Sequence, residues 1–397
     1  SRAVGQVSTS FSAGPRRAAL LSWVAIFGVL MFGSRHLLTQ GVPVYGQFSS
    51  FPDTTSLLSS YWSGWREVGV GASGIGPAAL GLLGGLSWLS LGAMDLFREI
   101  LILSLLPVGL LGMWRLLKPI DSVWGRIVGT ALYATLPISY EALVNGHWGT
   151  LLLVAAMPFA MRRLAEAFEV GSYGLESSGI LHQVASLGLL LGVVAAFEPL
   201  ILLLVPVASI VLLVASINKT SARGVGRGFV VVSLAVGVAS LMHLPWVAVL
   251  GDSETVLRYL LVRSPSQSST GLGEILRFLP TSYGNSWMMW SPLFVALLPL
   301  LLGRGNRLRL ATMAGVLALL GYGLAWVSDR GWLTDLLGRE VSIGEGALVL
   351  AGVGLCWCAA VGPSVVTSDR HLAPVIIRRM VVTIAAASLT LSSVTLL

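Results

Sequence analysis

Residues 33–77 read GSRHLLTQGVPVYGQFSSFPDTTSLLSSYWSGWREVGVGASGIGP. The stretch lies between two hydrophobic segments, 18–32 and 78–94, and it cannot itself be a membrane span. Lipid does not solvate open backbone. A polar loop rich in Trp and Gly therefore lies at a membrane surface or lines a cavity. It carries Asp53, Tyr61, Trp62, Trp65, Arg66 and Glu67. Read outward from here, nearly everything else is apolar helix.

Composition sets the class. The chain has 397 residues, is 55% hydrophobic and only 11% charged, and has a mean hydropathy of +0.83. A soluble domain carries about 25% charged residues. The expectation is an all-α, polytopic membrane bundle in a single membrane-embedded domain, 1–397. The net charge of +7 then reflects cytoplasmic loops rather than a nucleic-acid partner. Cys356 and Cys358 lie in an apolar run with no His or carboxylate beside them, so they read as helix packing. The chain starts Ser1-Arg2 and ends within an apolar run, which reads as a piece of a longer protein.

The hydropathy pattern predicts about eleven spans. Arg16 and Arg17 precede the first, 18–32, and put the start of the chain on the cytoplasmic side of a cell membrane. The first outer loop and a surface helix then occupy 33–94, with 78–94 lying along the outer face. Further spans fall at 96–114, 123–138 and 151–161. Residues 139–149 form an outer turn between the last two, and 164–179 form a polar cytoplasmic piece. Residues 181–215 are broken at Phe197-Glu198-Pro199, because Pro removes a backbone donor and disfavours helix before it. Spans at 229–246, 288–302, 310–327, 343–361 and 380–397 complete the layout. Residues 247–287 and 328–342 form the second and third outer loops. Of 25 Lys and Arg, 17 fall inside and 8 outside; of 18 Asp and Glu, 5 fall inside and 13 outside. The acidic excess marks the outer side as either a binding face or an ordinary solvated one.

The residues with chemical potential gather on that side. Asp53, in FPDTT, is a candidate general base or metal ligand. Read from the local sequence alone it is first a helix N-cap, since Pro52-Asp53-Thr54-Thr55 followed by SLLSSYW looks like a helix start. Glu67 is a second candidate acid, or a partner of Arg66. His147, in NGHWG, is a candidate phosphate or sugar ligand, or an interfacial anchor with Trp148. Glu141 and Glu198 are the carboxylates nearest the apolar region. They reach water at turns or, at depth, mark a site. Arg258 and Arg263 are outer-loop cations suited to a lipid phosphate. Tyr61, Trp62 and Trp65 are candidates for stacking on sugar rings or for the interface belt. No ligand set for a metal can be read, although a divalent ion is compatible with the loop acids. Residues 69–76, GVGASGIG, lack the spacing and the strand–helix context of a nucleotide fingerprint.

Three pieces carry a resemblance: WSGWREVGVG at 62–71, LLGMWRLLKP at 110–119 and ALYATLPISYEALVNGHWGTLLLVAAMPF at 131–159. Together they resemble membrane glycosyltransferases of the GT-C type. The closest likeness is to the multi-span region of large actinobacterial proteins that join such a region to a soluble family-2 glycosyltransferase domain. The likeness covers about 18–158. It implies a GT-C-like fold with outer-face helices in the first loop and a site facing that loop. It also implies a polyprenyl-phosphate-linked sugar as donor and a glycan acceptor. By position, the loop acid is Asp53 and the Gly-His turn is Gly146-His147. FPDTT holds one acid where those enzymes place a more acidic motif.

The leading expectation is a membrane glycosyltransferase, or the membrane half of one. Asp53 activates the acceptor hydroxyl, and outer-loop Arg, with His147, binds donor phosphate. The rivals are a transporter or flippase of lipid-linked glycans, and a non-catalytic scaffold for a fused soluble domain. The first rival calls for charges deep in spans and repeated broken helices. The second calls for an Asp53 that faces bulk water.

Overall fold

The computed structural model describes residues 17–28, 30–32, 34–63, 65–66, 72–73, 78–90, 93–120, 122–176, 178–217, 222–244, 271–278, 290–337 and 343–368. The architecture is a bundle of helices. Arg17–Phe32 is α1. Arg35–Gln40 (α2) and Thr54–Trp62 (α3) follow, then Ala78–Ser87 (α4), which runs into a short 3-10 turn, Trp88–Ser90. Met94–Leu116 is α5, Val123–Ala134 is α6, Pro137–Val144 is α7 and Trp148–Ala167 is α8. Next come Ile180–Ala195 (α9), Ile201–Ile217 (α10), Ala222–Met242 (α11) and Leu272–Leu276 (α12). The series ends with Ser291–Leu302 (α13), Gly305–Asp329 (α14), Trp332–Leu337 (α15) and Gly344–Ser368 (α16). Between α3 and α4, Trp65–Arg66 pairs antiparallel with Ala72–Ser73.

Five helices are long and apolar enough to cross a membrane: Met94–Leu116, Val123–Val144, Gly224–Met242, Gly305–Asp329 and Gly344–Val365. Helices occupy the positions of the first ten expected spans, several of them shorter than a full crossing. The segment 380–397 lies outside the described residues. At ten residues, α4 is about 15 Å long, half the thickness of a bilayer core.

Local chemistry explains most boundaries. Asp95 in the first turn of α5 and Arg115 in its last suit the helix dipole. The Ser122 hydroxyl accepts from Gly125 N–H and caps α6. Pro137 opens α7 at its first turn and interrupts what would otherwise be one helix with α6. The expected break at Phe197-Glu198-Pro199 stands between α9 and α10. Three expected boundaries are corrected. The outer turn 139–149 shrinks to Asn145-Gly146-His147, because α7 runs to Val144. The span at 151–161 is a longer helix, 148–167, that includes the start of the expected polar piece. It tolerates that piece because Glu166, buried, binds Arg162 at 2.7 Å and Arg163 at 3.0 Å within the same helix. The helix expected at 343–361 continues to Ser368.

Backbone contact through glycine orders the bundle. A Cβ at Gly354 of α16 would stand 2.6 Å from Ala318 N, and one at Gly321 of α14 would stand 2.5 Å from Ala351 N, so the two helices pack antiparallel and very close. On its other side α16 meets α6, where a Cβ at Gly125 would stand 2.2 Å from Ala360 O. α5 and α8 run parallel, with Gly109 against Val154 and Gly112 against the Phe159 ring. α9 and α11 also run parallel, with Gly188 against Val238 and Gly192 against Met242. At one end of the bundle, Tyr173 donates to Leu116 O at 2.7 Å and Arg227 binds Glu169 at 3.1 Å. The opposite end carries the turn around His147.

Gly354→Val should lower the melting temperature of the detergent-solubilised protein, with a loss of about 1–3 kcal/mol from overpacking. Gly323→Ala, where a Cβ meets nothing within 4 Å, should be neutral to stabilising, by up to about 1 kcal/mol.

Candidate functional site

The first loop is pinned from below by a buried cation. Arg98, on α5 and only 4% exposed, donates to Phe48 O at 3.1 Å and to Val42 O. Those two carbonyls hold the chain across the end of α5. A small apolar core forms beneath it from Val42, Phe48, Leu57, Ile102, Ala142 and Trp148.

The same loop is locked to the Gly-His turn. Gly46 and Gly146 both have positive φ, 56° and 67°, and lie back to back. A Cβ on Gly46 would stand 2.8 Å from Asn145 O, and one on Gly146 would stand 2.8 Å from Tyr45 O. Gln47 N–H donates to Gly146 O at 2.9 Å. The Gln47 side chain accepts from Gly149 N–H at 3.1 Å and so caps α8 from a distance. The Tyr45 hydroxyl donates to Leu143 O. Burial pushes the Tyr45 phenol above its ordinary range and keeps it a donor.

His147 is the N-cap residue of α8. Its N–H donates to Ala142 O at 2.7 Å, and its carbonyl accepts from Leu151 N–H. Its Nδ1 lies 2.8 Å from Glu345 Oε1, in the first turn of α16. The Thr150 hydroxyl donates to the other oxygen of Glu345. Asn145 donates to Glu141 Oε2 at 3.3 Å. Trp148 stacks on Phe197 at 6.0 Å and touches Phe51 at 5.6 Å, which brings the α9–α10 turn and its Glu198 alongside. The indole N–H of Trp148 finds no acceptor among the described residues.

The expected site residues divide. His147, Glu141 and Glu198 belong to one end of the bundle, and both carboxylates are buried rather than open to water. Asp53 is the N-cap residue of α3 and is exposed. Its oxygens accept from Thr55 and from Ser56, at 2.7 Å for the latter. These bonds, Thr55's first, hold its carboxyl below the usual carboxylate range. Tyr61 and Trp62 pack edge to face at 5.1 Å, with the Tyr61 ring under Gly81 of α4 and Trp62 80% exposed. Trp65 and Arg66 contribute backbone to the short strand pair; their side chains, and all of Glu67, Arg258 and Arg263, lie outside the described residues. Among the described residues, no three His, Cys, Asp or Glu side chains group as a metal site would require. Glu345, Thr150, Arg98 and Gln47 were not singled out from sequence. Glu345 and Arg98 did carry a signal, since each falls within an expected span, where a charge marks function or structure by default.

Comparison with models of known protein families finds no match for this chain, and a search of curated proteins finds none.

Asp53 yields a pH test. A lowered carboxyl pKa contributes stability above the unfolded-state pKa, and that stability is lost as pH falls through the folded value. The stability difference between wild type and Asp53→Asn should therefore be present at neutral pH and close at acidic pH. Thermal unfolding across a pH series measures it.

Proposed function

We propose that this chain is a membrane glycosyltransferase, or the membrane half of one. In this reading it moves a sugar from a polyprenyl-phosphate-linked donor to a cell-envelope glycan at the extracytoplasmic face. The observation that carries the reading is the union of the first loop with the Gly-His turn and Glu345 at one end of the bundle. The first loop and the Gly-His turn are the two segments that the GT-C resemblance marks, and they are more than ninety residues apart in sequence. A loop, a turn and a helix start tied together at one end of a helical bundle can hold polar groups in place for a polyhydroxylated substrate reached from the membrane.

The proposed topology has eleven spans, with the His147 end outside. Within it, α3 and α4 form an interfacial hairpin. The exposed residues of α3 include Thr55, Ser59 and Ser60, whereas those at the end of α4 are Leu86 and Trp88. The apolar side continues into the exposed Leu96 and Ile100 of α5. Such a hairpin rests with α4 in lipid and α3 in water. One observation favours a second reading: Asp53 is exposed, as a non-catalytic scaffold would have it.

The full chain in lipid vesicles, given a radiolabelled polyprenyl-phosphoryl sugar and an oligosaccharide acceptor, should form labelled glycan. Failure across pentose and hexose donors, with the protein folded, overturns the enzyme reading in favour of the scaffold. For topology, Ser60→Cys, at an exposed position of α3, should react in intact cells with a membrane-impermeant thiol reagent from outside; reaction only after the cytoplasmic side is opened overturns the layout.

A further inference from the structure

We propose that His147 and Glu345 form the base of the transfer reaction, with His147 taking the proton of the acceptor hydroxyl and Glu345 positioning it. This rests on the glycosyltransferase reading above.

Glu345 lies in the first turn of α16, where the helix dipole favours an anion. Both of its oxygens are held from α8, one by the His147 ring at 2.8 Å and one by the Thr150 hydroxyl. The carboxylate thus has a fixed place. A hydrogen bond from Nδ1–H to it fixes the ring and its tautomer, and makes Nε2 the basic nitrogen. The backbone of His147 is equally fixed, by Ala142 O on one side and Leu151 N–H on the other. The side chain is 37% exposed, so a ring that is held is also reachable.

Asp53 is the poorer base. Its oxygens are occupied by hydroxyls of its own turn, and its carboxyl is already held low. A base works best with a pKa near the working pH, which suits an imidazole rather than a stabilised carboxylate. Two segments placed 195 residues apart meet through Thr150 and Glu345, and neither side chain caps its own helix by that bond.

The step balances without a co-reactant. The proton of the acceptor O–H passes to His147 Nε2. The oxygen lone pair forms the new bond to the sugar anomeric carbon. The bond from that carbon to the phosphate oxygen breaks, and its electron pair leaves with the polyprenyl phosphate. The substrate class on this side of the site is therefore a sugar hydroxyl.

The test uses the full chain in vesicles, with a radiolabelled polyprenyl-phosphoryl sugar and an oligosaccharide acceptor. His147→Ala should lower kcat on the order of 10²–10³-fold with the acceptor KM changed little. Glu345→Gln should lower kcat by about tenfold or more. Added imidazole should restore turnover to His147→Gly, a rescue that a merely structural role would not give. Thr150→Val removes one of the two donors to Glu345 and keeps His147; it should fold and lose less than Glu345→Gln. Wild-type turnover in His147→Ala, or a folded His147→Gly that imidazole does not rescue, overturns the base assignment. Loss confined to Asp53→Asn overturns it in favour of the loop acid. Absence of transfer in the wild type is a different result, and it overturns the glycosyltransferase reading itself.

Discussion

The close approach of α16 to its neighbours is the contact on which the rest depends. In lipid, helices gain little from burying apolar surface, because the tails around them are equally apolar. Association rests on van der Waals contact and backbone proximity. Gly354 and Gly321 let α14 and α16 touch along their backbones, and Gly125 and Gly129 do the same between α6 and α16. Cys358 reaches Ala296 O of α13 at 3.2 Å on a further side. The apolar stretch of α16 is almost wholly buried, whereas that of α11 is mostly exposed. A helix surrounded in this way has a fixed axial position. The start of α16, and Glu345 with it, is therefore fixed relative to α8.

The second constraint is the hydrogen-bond inventory of the first loop. An irregular backbone at the end of a membrane bundle must find partners for its polar groups. Here the partners are specific. Arg98 takes the carbonyls of Val42 and Phe48, Gln47 bonds the turn through both its backbone and its side chain, and Tyr45 bonds Leu143 O. The loop is thereby attached to three helices, α5, α7 and α8. Polar groups borne on such a platform are held by rigid elements, which is the condition for positioned chemistry. His147 illustrates it: it sits on a turn, yet its ring and both its backbone groups are tied.

Much of this was legible in one dimension. The break at Pro199 was read from the sequence and stands, whereas the one at Pro137 was not, since 123–138 was expected as a single span. The apolar run around Cys356 and Cys358 is the buried helix that its composition implies. What was not legible has two causes. One boundary, that of α8, moved because a side chain satisfied a charge locally. Glu166 lets α8 run on through its two arginines, a bond that composition reads as polarity and hence as loop. Partners at long range were invisible altogether. Nothing near Glu345 in sequence announces His147, and nothing near Arg98 announces the carbonyls it bonds. Both lay inside segments read as spans, and there the mere presence of a charge was the available sign.

The acids at this end of the molecule show how environment, rather than residue type, assigns roles. Asp53 stands exposed at the start of a short helix, with its oxygens taken by the hydroxyls of Thr55 and Ser56. Glu141 is buried and turns inward to Asn145 within its own helix end. Glu345 bonds across to another helix, and does so through a side chain that can accept a proton. A carboxylate bonded only by hydroxyls of its own turn stabilises that turn whatever else is bound. A carboxylate that holds an imidazole on a different helix does something further: it couples the position of a proton acceptor to the packing of two helices. The glycine contacts that fix α16 in the bundle thus also fix the imidazole at its end, and for that reason the centre of the helical bundle and its edge are one mechanical unit.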